Sequence, residues 1–199
     1  MITVSLLTPT PRFSNDLADV MRIFWGEIVL LVNESGGDVT VFHTEEERDG
    51  IRHCRMEMTG AFSGRAELSR EISADPLLEK RYHKRLIKQA LYQVMKDVTG
   101  RTPPWGSLTG IRPTRLLYEG MGRGLSREAV MAEVRDTFDL RPDKAFLLSE
   151  IVAVQTEMPA PDPRDVDFYV GIPFCVSRCA YCSFLSGEVG KGKQLPPYV

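Results

Sequence analysis

The sequence has no long apolar run. Its best candidate, Ile28–Val32, is only five residues, where a helical span of a bilayer needs about 20. No membrane partner is therefore expected. A basic stretch followed by an apolar core is also missing from the start, Met1-Ile2-Thr3-Val4. No secretion signal is expected there, and the cytoplasm is the expected compartment. Net charge is small, −2 with a pI near 6.0, so nucleic acid is not expected as a partner on global charge. Internal repeats and low-complexity tracts are absent. So are a Ser/His/Asp set, a phosphate-binding glycine loop and a metal-spaced pair of carboxylates. Cysteine is scarce, at four residues. A secreted disulfide framework would spread its cysteines along the chain, but here three crowd into eight residues near the C-terminus and Cys54 stands alone.

What remains is an ordinary globular composition, 43% hydrophobic and 26% charged over 199 residues. The first half carries strand and turn signals. Thr3–Leu7 predicts a strand, and Asn15–Phe24 a helix with Ser14 as its cap. Glu27–Asn33 and Val39–Thr44 flank Glu34-Ser35-Gly36-Gly37-Asp38, which has the residues of a hairpin loop. Arg52–Thr59 alternates His53, Arg55 and Glu57 with Cys54, Met56 and Met58, the period of a half-buried strand. Arg65–Ile72 is its expected partner, and Cys54 is expected to be a buried strand residue. Glu45-Glu46-Glu47 reads as a solvated loop.

The middle is helical. Asp75–Thr99 puts Leu78, Tyr82, Leu86, Ala90, Leu91, Val94 and Val98 on one stripe, with Asp75, Pro76 and Gly100 as end signals. Its Lys80, Arg81, Lys84, Arg85 and Lys88 are read as a solvated face, with an anionic partner as the alternative. Further helices are expected over Pro113–Glu119, after the cap Ser126 with Val130, Val134 and Phe138, and over Asp143–Glu157 with Phe146, Leu147, Ile151 and Val154 apolar. Trp105 and Leu108 are expected to pack between domains.

Met158-Pro159-Ala160-Pro161-Asp162-Pro163-Arg164-Asp165 holds three prolines, which favour an extended linker. The domain reading is a mixed α+β N-terminal domain over 1–157, a proline-rich linker over 158–165, and a second segment over 166–199. Val166–Ile172 is apolar with aromatic and β-branched residues, and is expected to be a buried strand stopped by Pro173.

Cys175, Cys179 and Cys182 follow at once, spaced C-x3-C-x2-C. A [4Fe–4S] cube has four irons, each normally taking one thiolate. Three protein thiolates leave one iron open for a small chelating molecule. A loop beyond the carboxyl end of a strand is also where α/β folds place ligands. Zinc is the competing reading. It usually takes four ligands, and no second cysteine pair is present, while His43, His53 and His83 lie far upstream. Three structural cysteines is the other.

At these residues the sequence resembles the radical S-adenosylmethionine (SAM) superfamily, whose signature has an aromatic residue before the last cysteine, the place of Tyr181. Tyr169-Val170-Gly171-Ile172-Pro173-Phe174-Cys175 is similar to the oxygen-independent coproporphyrinogen III oxidase group. Pro104-Trp105-Gly106-Ser107-Leu108-Thr109-Gly110-Ile111-Arg112-Pro113-Thr114-Arg115 resembles the coproporphyrinogen dehydrogenase branch, of the HemZ type, which has an extra N-terminal domain. The resemblance covers roughly the last two-thirds of the chain and the first 70 residues only loosely.

The resemblance implies a fold and a chemistry. The α+β domain would be followed by the first strand and cluster loop of a truncated radical SAM (β/α) partial barrel. Cys175, Cys179 and Cys182 would ligate a [4Fe–4S] cluster, SAM would chelate the open iron, and Tyr169 and Tyr181 would lie beside the cofactor. A reduced cluster would cleave SAM to a 5′-deoxyadenosyl radical, which would take hydrogen from a propionate of a porphyrinogen substrate. Loss of carbon dioxide and an electron would leave a vinyl group. The implied activity is conversion of coproporphyrinogen III to protoporphyrinogen IX in haem synthesis, with a flavodoxin or ferredoxin as electron donor. The cofactors carry the hard chemistry.

The chain departs from that pattern in two places. Phe184 stands where the family's oxidases have a fourth cysteine, and Gly171 where they have a histidine. A related haem-binding group without oxidase activity also lacks the fourth cysteine, and is the alternative. A third reading makes residues 1–157 an interaction module only. Because 17 residues follow Cys182 (199 − 182), the chain is expected to be an N-terminal fragment. It is expected to bind a cluster weakly and not to cleave SAM by itself. Its tail from Gly187 to Lys193 is expected to be an exposed loop.

Overall fold

The computed structural model describes residues 1–110, 112–158, 162, 164–166, 168–177 and 187–189. The chain divides into two units, Met1–Met158 and Pro159–Val199. The first is a five-stranded mixed sheet with five helices, an α+β arrangement.

Strands β1 (Ile2–Leu7), β2 (Ile28–Val32), β3 (Val39–Arg48), β4 (Ile51–Gly60) and β5 (Gly64–Glu71) lie in the order β2-β1-β3-β4-β5. Both β2 and β3 run parallel to β1, which separates them. The expected hairpin between them is therefore not formed. The connecting segment crosses β1 instead, and Gly37 makes the crossing possible. Its N–H donates to Ser5 Oγ at 2.9 Å. A Cβ there would meet Ser5 N at 2.6 Å and Thr3 O at 2.9 Å. Asp38 accepts from Thr3 N–H at 2.8 Å, and Asn33 accepts from Thr8 N–H at 2.8 Å. The turn residues are thus used to pack on a strand rather than to reverse direction. β3, β4 and β5 form the antiparallel meander, with Glu45 opposite Cys54 and Cys54 opposite Leu68.

Helix α1 (Ser14–Trp25) begins one residue earlier than its sequence signal. Ser14 is its first residue rather than its cap, because a 3-10 turn over Pro11–Phe13 runs straight into it. Helix α2 (Pro76–Thr99) has the expected ends. Asp75 accepts from the N–H groups of Leu77 and Leu78, and Gly100 is left-handed with φ 64°. Its buried face is broader than the apolar stripe. His83, Ile87, Lys88, Tyr92 and Met95 are buried, whereas Leu78 is exposed. α1 and α2 cover one face of the sheet, over a core that includes Val4, Leu6, Val41, Met56, Met58, Leu17, Met21 and Leu91. Each such side chain contributes roughly 1.5–3 kcal/mol on burial, so this layer is the main source of stability.

Helices α3 (Pro113–Gly122), α4 (Arg127–Phe138) and α5 (Pro142–Glu157) form a second core around Leu117, Val130, Val134 and Leu148. Ser126 caps α4, accepting from Ala129 N–H at 3.2 Å. On α5 it is Ala145, Leu148 and Val152 that are buried. Phe146, Leu147, Ile151 and Val154 face outward.

In the second unit, Val166 and residues 168–172 are exposed and not in a strand. The expected buried strand is corrected on this point. A parallel strand needs neighbours for its backbone and cover for both faces. Among the described residues only β6 (Phe174–Cys175) and β7 (Gly187–Glu188) pair, in parallel. Gly187 and Glu188 are thus a short strand rather than loop. No helix among the described residues is long and apolar enough to cross a membrane.

Candidate functional site

Cys175 ends β6, opposite Glu188. Gly187 N–H donates to Pro173 O at 2.9 Å and Val189 N–H to Cys175 O at 2.8 Å. The backbone around the thiol is therefore tied down on one side, while the thiol itself is free and exposed. Tyr169 is 91% exposed, with its ring beside Gly171. Cys179, Tyr181, Cys182 and Phe184 lie outside the described residues, as does Ile111 of the upstream string. Of the sequence-predicted ligands, Cys175 is thus the one whose surroundings are described. An exposed thiol on an anchored backbone is available to a metal.

Cys54 is its opposite. It is fully buried under the sheet. Burial pushes its thiol up to about 12, the Glu45 charge adds to this, and Arg52 partly offsets it. Side-chain donors of His43, Glu45 and Cys54 all lie within 4.8 Å of one another, a set of atoms that zinc can use. The Glu45 carboxylate of this set is already engaged by hydrogen bonds. His83 Nε2 lies 2.7 and 2.9 Å from the two Glu45 oxygens. An ionised carboxylate only accepts, so the imidazole donates. Thr8 Oγ1 lies 2.8 Å from His43 Nδ1, and His43 Nε2 lies 2.9 Å from Glu45 Oε1. That last approach lacks the direction of a hydrogen bond. Arg52 stands 3.4 Å from Glu45 and bridges to Glu47 and Glu79. Burial alone would raise the Glu45 carboxyl, but His43 and His83 override it and hold the group well below the usual carboxylate range. This polar network ties β3 and β4 to α2. Glu45 is on a strand and half-buried, contrary to the solvated-loop reading, because β3 runs on to Arg48. The sequence signal for it was His43-x-Glu45, two residues on one face of a strand.

The string from Trp105 to Gly110 forms a tight turn against α4. Gly106 is left-handed at φ 53°, and a Cβ there would fall 1.8 Å from Phe138 O. Ser107 N–H donates to Phe138 O at 2.8 Å, and Arg141 N–H to Pro104 O at 3.2 Å. Trp105 and Leu108 pack on the α3–α5 core. The turn also closes one side of a cavity of about 260 Å³ over α2, lined by Arg81, Lys84, Arg85, Lys88 and Thr109 among others. The basic residues of α2 are therefore not a plain solvated face. Arg81 grips Glu119 with two hydrogen bonds, of 3.0 and 2.6 Å, and Arg115 Nε adds a third at 2.9 Å. Arg112 is exposed and only precedes α3.

Comparison with known proteins places the chain beside a curated relative. The chain is 30% identical over 192 residues to the oxygen-independent coproporphyrinogen-III oxidase-like protein HemZ of Bacillus subtilis (strain 168). The alignment takes in 90% of this chain and 38% of that protein. The two are homologues, and the chain spans little more than a third of its relative's length. A solved structure, protein VC0702 from Vibrio cholerae, matches 79% of this chain and 96% of its own at 13% identity, with a TM-score of 0.30. At that score it carries no inference. No protein-family model matches the chain.

Proposed function

We propose that the chain is part of a radical SAM enzyme acting on a porphyrinogen, with oxygen-independent oxidative decarboxylation of coproporphyrinogen III as its reaction. The reading rests on one conjunction. The chain carries C-x3-C-x2-C at Cys175, Cys179 and Cys182, and it is homologous over most of its length to a coproporphyrinogen-III oxidase-like protein.

The chemistry of the donors fits a [4Fe–4S] cluster. Three thiols within eight residues suit one cube with one open iron, and the described member of the set, Cys175, is exposed and unpaired with another sulfur. When bound, the cluster and SAM supply one-electron chemistry that starts hydrogen abstraction. The chain's own part is to supply the three thiolates and to place Tyr169 and Tyr181 beside the cofactor. The backbone hydrogen bonds from Gly187 to Pro173 and from Val189 to Cys175 anchor the start of the loop. The cytoplasm, and a flavodoxin or ferredoxin donor, belong to the same proposal.

The test is anaerobic reconstitution of the complete gene product, followed by assay with coproporphyrinogen III, SAM and a reductant. A vinyl product that disappears with Cys175→Ala supports the proposal. Absence of turnover in protein that holds its cluster counts against it. The second reading, a haem carrier, is favoured by Phe184 in place of the fourth cysteine and by Gly171 in place of histidine. Stoichiometric haem binding without vinyl product would select it.

A further inference from the structure

Arg81, Lys84, Arg85 and Lys88 recur at helical spacing on α2, so they share one face. The turn over Ser107–Gly110 and Arg115 of α3 close around that face. Three of the five cations have partners. Lys84 lies 3.2 Å from Asp16, which also lines the cavity, and Arg81 and Arg115 share Glu119. Arg85 and Lys88 have no carboxylate within ion-pair distance among the described residues. Arg85 rests on aromatic faces, 4.9 Å from the Phe138 ring and 5.6 Å from Tyr82. Lys88 is buried and donates to Thr109 O at 2.9 Å.

This arrangement works against the folded state. Burial lowers the Arg85 and Lys88 pKa values; like charge from Arg81 adds to this on Arg85, while on Lys88 the attraction of Asp16 opposes it and Lys84 adds to it. Two cations three residues apart repel, and a half-buried site weakens their screening. A third group is also left over. Thr109 lines the cavity, and its Oγ1 is buried with no hydrogen-bond partner among the described residues. A guanidinium, an ammonium and a hydroxyl on residues that line one cavity form a recognition set for an oxyanion.

We propose that this cavity binds the oxyanion group of a ligand, a carboxylate or a phosphate, through Arg85, Lys88 and Thr109. Its size restricts what enters. About 260 Å³ falls just below the roughly 300–1,000 Å³ of sites that enclose a whole drug-sized ligand. The acid group and its neighbouring atoms fit, and the body of a large ligand stays outside. The site explains why the Ser107-Leu108-Thr109-Gly110 turn lies over the basic helix. It uses none of the cysteines of the proposed cluster, so it stands or falls separately from the oxidase reading.

The experiment is calorimetric titration of the 199-residue chain, in air, with pyrophosphate and with citrate, at an ionic strength held constant with sodium chloride. Saturable binding by either anion is expected. Pyrophosphate binding more tightly assigns a phosphate ligand, and citrate binding more tightly a carboxylate one. Arg85→Gln should weaken the preferred anion about tenfold or more, the cost of a lost charge-assisted hydrogen bond. Thr109→Val should weaken it about threefold or more, and serves as the decisive variant if Arg85→Gln does not fold. Lys80→Gln, an exposed cation of α2 outside the cavity lining, should bind as the parent does. No saturable heat up to about 10 mM of either anion, a range that takes in even weak millimolar sites, overturns the proposal. So does unchanged affinity in the folded Arg85→Gln and Thr109→Val variants.

Discussion

Cys54 and Cys175 place the same side chain in opposite surroundings. Cys54 lies on the inner face of a five-stranded sheet, beneath two helices and beside a carboxylate. Cys175 ends a two-residue strand with its thiol exposed. In the first setting the low dielectric and the Glu45 charge suppress the thiolate. In the second the sulfur is exposed. The accessible thiol of the pair is therefore in the C-terminal segment, while the sheet layer provides stability.

The largest expected effect is in thiol modification. A thiol pushed from 9.0 to about 12 holds about a thousandfold less thiolate near pH 8 than an ordinary one. Peptide mass spectrometry after brief iodoacetamide treatment of the native chain should find Cys175 modified and Cys54 intact. Equal labelling of the two would remove the contrast. Next, Gly106→Ala should destabilise the first unit by about 3 kcal/mol or more, because the new Cβ meets the Phe138 carbonyl and the backbone is left-handed. Urea unfolding measures this, and a loss below about 1 kcal/mol, the range of ordinary surface changes, would show that the turn yields easily.

Glu45→Gln is expected to cost about 2–3 kcal/mol, by leaving His83 and Arg52 with a weaker acceptor. The sign of its pH dependence follows from the lowered Glu45 carboxyl. The folded state holds the ionised form below the unfolded pKa of about 4.3. The stabilisation is thus fully present above that value and is lost as pH falls toward the folded pKa. Unfolding curves between pH 7 and pH 3 should show the parent losing stability more steeply than Glu45→Gln. The smallest effect is Asp75→Ala, about 1 kcal/mol for the α2 cap, read from the thermal midpoint.

Elements governed by nearby residues were legible in the sequence. Asp75, Pro76 and Gly100 bracket α2, and the alternation through Cys54, Met56 and Met58 marks β4 and its buried face. What depends on distant partners was not. Glu34–Asp38 has hairpin residues, yet strand order depends on β1 lying between β2 and β3, which no local pattern records. Val166–Ile172 has strand composition but lacks strand neighbours among the described residues. Glu45 looked solvated because its partners, His83 and Arg52, are far from it in the chain or on another strand. In the candidate site the spacing of the three cysteines was plain from the start. The convergence of Arg85, Lys88 and Thr109 was not, since it requires the turn after α2 to fold back over that helix.

The most direct test of the central claim is iron and sulfide analysis, with electron paramagnetic resonance, of the complete gene product purified without air. The account predicts about four irons and four sulfides per chain, a signal that appears on reduction and changes when SAM is added, and loss of both metal and signal in Cys175→Ala but not in Cys54→Ala. Tetrahedral zinc in place of iron, or iron retained without Cys175, would contradict it.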